Sequence, residues 1–150
     1  MLVAKIILTI GLRALGLGIL LPALASAFAQ PAAPAGTWTT EHGDAKIRIA
    51  ACGPALCGTI VWLAEPADSS GRPKTDINNS DEAKRSRPLI GLTILTGLAS
   101  DGQEWRGRVY NSDDGKDYDV WIKLVDKQHA SIKGCTLDGL FCGGEMWTKN

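Results

Sequence analysis

The residues best suited to bind a charged or hydrogen-bonding molecule lie close together in one polar stretch. They are Asp76, Asn78, Asn79, Arg85 and Arg87. The guanidinium group of an arginine donates paired hydrogen bonds to carboxylate or phosphate groups, and such groups are common on small ligands. We predict that these residues bind a ligand together with Trp62, whose alternation with aliphatic residues favours an inward orientation. The alternative is a structural role, in which ion pairs such as Asp76–Arg87 and Asp81–Arg85 hold the stretch in place.

Catalytic and metal-binding patterns are weaker. The two histidines, His42 and His129, each stand beside a turn signal and outside any G-x-S-x-G or H-E-x-x-H context. Nothing in the polar stretch indicates the burial that raises the pKa of a general acid. The aspartates between positions 113 and 119 lack the spacing of a calcium-binding EF-hand loop. We therefore expect a non-catalytic protein without a metal or cofactor; a hydrolase or lyase that uses the loop carboxylates with Arg85 or Arg87 is a further candidate.

The four cysteines suggest cross-links. Cys52 and Cys57 enclose Gly-Pro, and Cys135 and Cys142 enclose Asp-Gly, so each interval contains turn residues. An even number of cysteines in an exported chain favours disulfides, here Cys52–Cys57 and Cys135–Cys142. A cross-link between the two pairs stays possible. A zinc site formed by all four thiolates is a poorer fit, because neither spacing is C-x2-C.

The N-terminus has the pattern of an export signal. Lys5 and Arg13 are followed by an apolar run that ends in small residues at Ala27 and Ala29. We predict a signal peptide over residues 1–29, removed before Gln30, and a periplasmic or secreted product without a stable membrane anchor. A retained anchor is the alternative. The chain carries 16 basic and 16 acidic side chains, and this balance argues against a nucleic-acid partner.

The remaining sequence is dominated by apolar residues at every second position, which is typical of strands with one buried face. Turn signals with Gly or Asp separate these segments. After a flexible lead at 30–35, we predict eight strands near 37–42, 45–51, 58–63, 91–98, 103–111, 116–125, 129–135 and 142–149. The exception is a long polar loop over 64–88, in which Asp81 to Arg85 could form one helical turn with Ser80 as its N-cap.

Eight sequential strands with short turns indicate an all-β fold, a small antiparallel up-and-down barrel that leaves no free sheet edge. A β-sandwich is the alternative. Gly36-Thr37-Trp38 on the first strand and Lys149 near the end resemble the closure of lipocalins and related barrels, in which a cation stacks on an indole ring at one end. The usual cation there is an arginine.

A longer resemblance covers positions 36–150. Its motifs include Cys57-Gly58-Thr59-Ile60-Val61-Trp62, Arg85-Ser86-Arg87-Pro88-Leu89-Ile90-Gly91, and Cys142-Gly143-Gly144 followed by Trp147-Thr148-Lys149. These motifs resemble the DUF2147 family of exported bacterial proteins. The resemblance implies a lipocalin-like barrel and export, but little about biochemistry.

The functional prediction from sequence is a barrel that binds a small, amphipathic or anionic ligand at its mouth. The polar loop would contact the head of the ligand, and the interior would take an apolar tail. The alternative is an envelope interaction or structural protein that docks an unknown protein partner through the long loop or through the face around Trp121, which points outward by strand parity.

Overall fold

The computed structural model describes residues 31–136 and 139–150. The predicted signal peptide and the first residue of the flexible lead lie outside the described residues. Within these residues, no helix is long and apolar enough to cross a lipid bilayer.

The described chain forms a closed antiparallel barrel of eight strands, which confirms the predicted fold class. Each strand pairs with the next in sequence, and the last pairs with the first through Trp38 and Lys149. The strands are β1 (Gly36–Thr39), β2 (Ala45–Cys52), β3 (Ala55–Leu63), β4 (Thr93–Asp101), β5 (Glu104–Asn111), β6 (Lys116–Leu124), β7 (His129–Cys135) and β8 (Cys142–Lys149). Closure pairs the backbone N–H and C=O groups that an open sheet would leave without hydrogen-bond partners at its edges.

The barrel core consists of the inward residues of the alternating segments. Ile47 and Ile49 of β2, and Val120 and Ile122 of β6, are almost completely buried. Full burial of such a side chain stabilises the fold by about 1.5–3 kcal/mol. These pairs follow the two-residue period that the sequence predicts.

Shifts in strand register interrupt that period, and two β-bulges among them change which side chains face inward. On β4, Leu95 and Leu98 are both fully buried although three positions apart, because the pairing with β5 shifts register between Thr96 and Ala99. An extra residue in one strand moves the following side chains to the opposite face. Gly97, which has a φ of +63°, supplies the left-handed conformation at this bulge.

The second bulge makes the inward orientation predicted for Trp62 wrong. Lys46 of β2 pairs with Trp62, whereas the next residue, Ile47, pairs with Ile60, so Val61 is the extra residue. Trp62 therefore points outward and is 42% exposed, with the Lys46 ammonium 5.4 Å from its ring centroid. Trp121 also lies outside, between the fully buried Val120 and Ile122, and the Arg106 guanidinium lies 5.0 Å from its ring centroid.

Disulfides join Cys52 to Cys57 and Cys135 to Cys142, and the described chain has no free cysteine. The first connects β2 to β3, and the second connects β7 to β8, where the two cysteines are direct register partners. The pairs are local, so neither a cross-link between them nor a four-thiolate zinc site forms. The strand directions place the two bridges at opposite ends of the barrel.

One end of the barrel is closed by Trp38, which is buried and has the Lys149 ammonium 5.4 Å from its ring centroid. The indole N–H of Trp38 donates to the Pro34 carbonyl at 2.8 Å, and that of Trp105 donates to the Ala32 carbonyl at 3.0 Å. The backbone of residues 32–34 is thereby held against this end of the barrel.

Candidate ligand-binding cavity

A cavity of about 970 Å³ lies at the other end of the barrel. This is the end that carries the turn from β1 to β2 and the connection from β7 to β8. Pockets for small molecules usually measure about 300–1,000 Å³ and combine apolar walls with a few polar groups. Its apolar walls come from inward residues of the strands: Ile47, Ile60, Ile94, Val109, Val120, Ile132 and Trp147. Among them, Ile94 and Val109 are only partly buried, so their side chains could contact an apolar chain or ring.

The rim of the cavity is polar and mainly acidic. Hydroxyl and amide groups are contributed by Thr40, Asn111, Ser112 and Tyr118, and the charged or titratable lining residues are Glu41, His42, Asp44, Glu65, Lys74, Asp113 and Glu145. The Lys74 ammonium lies 3.2 Å from a carboxylate oxygen of Glu65, so the charges of these two residues offset each other. The rim can therefore hydrogen-bond and attract a polar head group.

Glu145 is the acidic lining residue that projects from the barrel wall. It lies on β8 two positions before the buried Trp147 and pairs in register with Ile132 of β7. Its side chain is half-buried, and Oε1 accepts a hydrogen bond from the Trp147 indole at 2.6 Å. Sequence reasoning missed Glu145; the available signal was a charged residue in the inward parity of β8.

Beside the cavity, the polar loop folds around a buried carboxylate. Asp76 is completely inaccessible to solvent. One carboxylate oxygen accepts from the Tyr110 hydroxyl at 2.6 Å. The other accepts from Asn79 Nδ2 at 2.8 Å, and from Arg87 through Nε at 2.9 Å and Nη2 at 2.8 Å. We call Asp76, Asn79, Arg87 and Tyr110 the loop latch, because they join the loop to β5.

The electrostatics of the loop latch follow from these contacts. Burial alone would raise the pKa of Asp76, but hydrogen bonds from Tyr110, Arg87 and Asn79 outweigh it and hold that pKa below its usual value. Burial raises the pKa of Tyr110, and its hydrogen bond to the Asp76 carboxylate raises it further. Asp76 is therefore a carboxylate held in its charged form. The sequence-based expectation that nothing in the loop is buried is wrong for Asp76 and Asn79.

The predicted ion pairs are partly present. Asp76–Arg87 forms, but Asp81 pairs with Lys84 at 3.1 Å and Arg85 pairs with Glu82 at 3.3 Å. The reason is a short 3₁₀ helix over Glu82–Lys84, which brings residues three apart together. Its N-cap is Asp81, whose side chain accepts from the Ala83 N–H, so Ser80 is not the cap.

Asn78 anchors the loop to the β5–β6 hairpin. Its Nδ2 donates to the carbonyls of Ser112 and Asp113 at 3.1 and 3.0 Å. Gly115 on this hairpin has a φ of +70°, and a Cβ there would lie 1.9 Å from the Asn78 carbonyl oxygen. The close approach requires glycine at this position.

The six residues predicted to bind a ligand do not line the cavity. Asp76, Asn79 and Arg87 belong to the loop latch, Arg85 donates to the Asn79 carbonyl at 2.8 Å, and Trp62 is on the outer face. Tyr110, which sequence reasoning left out of the site, both lines the cavity and binds Asp76. It connects the loop to the cavity wall.

An eight-stranded antiparallel barrel that is closed by an indole at one end and opens at the other into a mixed apolar and polar cavity has a lipocalin-like fold. The family comparison gives the more specific assignment: residues 36–149 match the model of DUF2147, described as an uncharacterized protein conserved in bacteria, and the chain belongs to this family.

Among solved structures, the chain is similar to protein HP1028 from the human pathogen Helicobacter pylori, described as belonging to the lipocalin family. The TM-score is 0.65 at 16% sequence identity, over 77% of this chain and 82% of that chain. This similarity supports the fold. A search of curated proteins returned no significant match.

Proposed function

We propose that this protein binds a small amphipathic molecule in the open end of its barrel. The observation that carries the proposal is the cavity of about 970 Å³, because its apolar walls and polar rim suit a ligand with an apolar body and a polar head. A completely filled barrel of this size would leave no such space. The lipocalin-like fold adds support at the level of architecture.

In this proposal the polar loop supports the site. The loop latch holds the Tyr110 hydroxyl through the Asp76 carboxylate. Asn78 fixes the loop to the β5–β6 hairpin, and Arg85 donates to the Asn79 carbonyl within the loop. The Asp76 carboxylate, the Asn79 amide and the Tyr110 hydroxyl are already engaged within the protein, and Arg87 donates to Asp76 through two nitrogens, which favours an indirect role over direct contact with the ligand. The outward Trp62 likewise does not line the cavity.

Binding is proposed in preference to catalysis. Asp76, the buried carboxylate of the loop, accepts hydrogen bonds on both oxygens and has a lowered pKa. A general acid needs the opposite, a carboxyl whose pKa is raised towards the working pH.

We further infer that the mature protein acts outside the cytoplasm. The two disulfides support this inference, because such bonds persist in oxidising compartments such as the bacterial periplasm. The signal-like pattern of residues 1–29 points the same way.

A fluorescence titration tests the binding proposal. Delipidated protein is titrated with N-phenyl-1-naphthylamine, a neutral apolar dye whose emission rises in apolar surroundings. We expect saturable binding that Val109→Phe weakens at least about tenfold, because Val109 lines the cavity and a larger side chain would occupy it. The matched control is Val61→Phe, since Val61 is 36% exposed on the outer face.

Thermal unfolding of both variants establishes that they are folded before the titrations are compared. Absence of saturable dye binding, or equal loss in the two folded variants, would contradict a ligand site in the barrel.

A further inference from the structure

The acidic character of the cavity rim indicates the kind of head group that it would accept. Five carboxylates line the cavity, against one lysine and one histidine. The lysine is already paired with Glu65, so Glu41, Asp44, Asp113 and Glu145 remain without an ion-pair partner in the described part of the chain. Their combined field favours a cation near the mouth over an anion.

Glu145 differs from the other three carboxylates in position. Glu41, Asp44 and Asp113 are exposed, whereas Glu145 is half-buried on the inner wall between apolar lining residues. Its Oε1 is engaged by the Trp147 indole, a neutral donor. A charged group with reduced access to water gains most from a partner of opposite charge, because desolvation weakens its interaction with water.

Aromatic rings add to the preference for a cation. Tyr110, Tyr118 and Trp147 all line the same cavity as Glu145. The electron-rich face of an aromatic ring attracts ammonium groups, and this attraction is greatest where water is excluded. The anionic groups phosphate and carboxylate would meet neither an arginine nor an unpaired lysine among the lining residues.

We propose that the preferred ligand is a cationic amphiphile, in which an ammonium or quaternary ammonium head contacts Glu145 and an apolar tail lies against Ile94 and Val109, which line the cavity and are only partly buried. This inference rests on the proposed ligand-binding function and specifies its ligand class. It replaces the anionic ligand that the arginines of the loop suggest from sequence.

Competition with three compounds that share one alkyl tail tests the proposal. Decyltrimethylammonium and decanoate, each below its micelle-forming concentration, and decanol, below its solubility limit, are titrated against N-phenyl-1-naphthylamine bound to the wild-type protein. We expect the cation to displace the dye at a concentration about tenfold lower than the anion, with the alcohol between them. Near-ultraviolet circular dichroism at each endpoint shows that the fold is intact.

Glu145→Gln tests the assigned residue, since glutamine keeps an acceptor for the Trp147 indole but removes the charge. We expect about tenfold weaker displacement by the cation and no change for decanol. The control is Asp101→Asn, because Asp101 is exposed at the end of β4 and does not line the cavity.

The outcomes separate the two proposals. Saturable dye binding with equal displacement by cation and anion overturns the cationic preference and leaves the ligand-binding function standing. A cation preference that survives unchanged in Glu145→Gln overturns the role of Glu145. Absence of dye binding overturns the function itself.

Discussion

Replacing Asp76 with asparagine should destabilise the protein without altering the shape of the buried side chain. Asp76 accepts hydrogen bonds from Tyr110, Asn79 and two nitrogens of Arg87 at distances of 2.6–2.9 Å. Asparagine offers one acceptor oxygen, and its NH₂ group would face donors. At least one buried donor and part of the guanidinium charge would then lose their partner.

The magnitude follows from the burial of the two partners. Breaking a fully buried ion pair by removing one charge costs about 3–5 kcal/mol. The side chain of Arg87 is 38% exposed, so water can replace part of the interaction that Arg87 loses with Asp76. We therefore expect the free energy of unfolding to fall by about 2–3 kcal/mol. For a domain of this size, that cost lowers the Tm by roughly 10 °C.

Thermal and urea unfolding followed by circular dichroism at neutral pH measure this effect. Asp117→Asn is the matched control, because Asp117 is exposed on β6. Indistinguishable stability of Asp76→Asn and wild type would refute the reasoning that the loop latch holds the loop on the barrel.

The effect should also depend on pH. The pKa of Asp76 is lower in the folded protein than the ordinary value of 3.8, so its charge stabilises the fold above that value. This contribution is lost as the pH falls through the folded pKa. The stability gap between wild type and Asp76→Asn should therefore be full at neutral pH and shrink below pH 3.8. A gap that is unchanged in acid would contradict the assignment of the charge as its cause.

Three further predictions concern the turns, the closed end and the cross-links. Gly115→Ala should destabilise the barrel by about 1–3 kcal/mol more than Gly43→Ala, since both glycines have φ near +70° but only at Gly115 would the added Cβ lie 1.9 Å from a backbone oxygen; equal unfolding midpoints would contradict this. Lys149→Met should cost about 0.5–1 kcal/mol through the lost cation–π contact, and Lys149→Arg should restore it, as measured by urea unfolding. Replacing both members of Cys52–Cys57 with serine should lower the free energy of unfolding by about 2 kcal/mol, a loss that calorimetry would detect.

The sequence by itself determined the barrel and its strands. Two-residue alternation is a local property of an extended chain, so segments such as Ile47 to Ile49 and Val120 to Ile122 reveal a buried face before any partner strand is known. Turn residues between the segments set the up-and-down order, and short spacings between cysteines favoured the two local bridges that form. The predicted strand at 91–98 begins at Thr93 and continues to Asp101, because the bulge at Gly97 lets the alternation resume beyond it.

Only the tertiary structure decided where the functional groups lie. The outward orientation of the Trp62 side chain depends on how β3 pairs with β2. The burial of Asp76 depends on Tyr110, which is 34 residues away in sequence. The cavity likewise exists because the strands close around a space that their inward side chains leave open near Glu145. Strand register, loop docking and cavity volume arise from contacts between distant segments, and local residue patterns carry little information about such contacts.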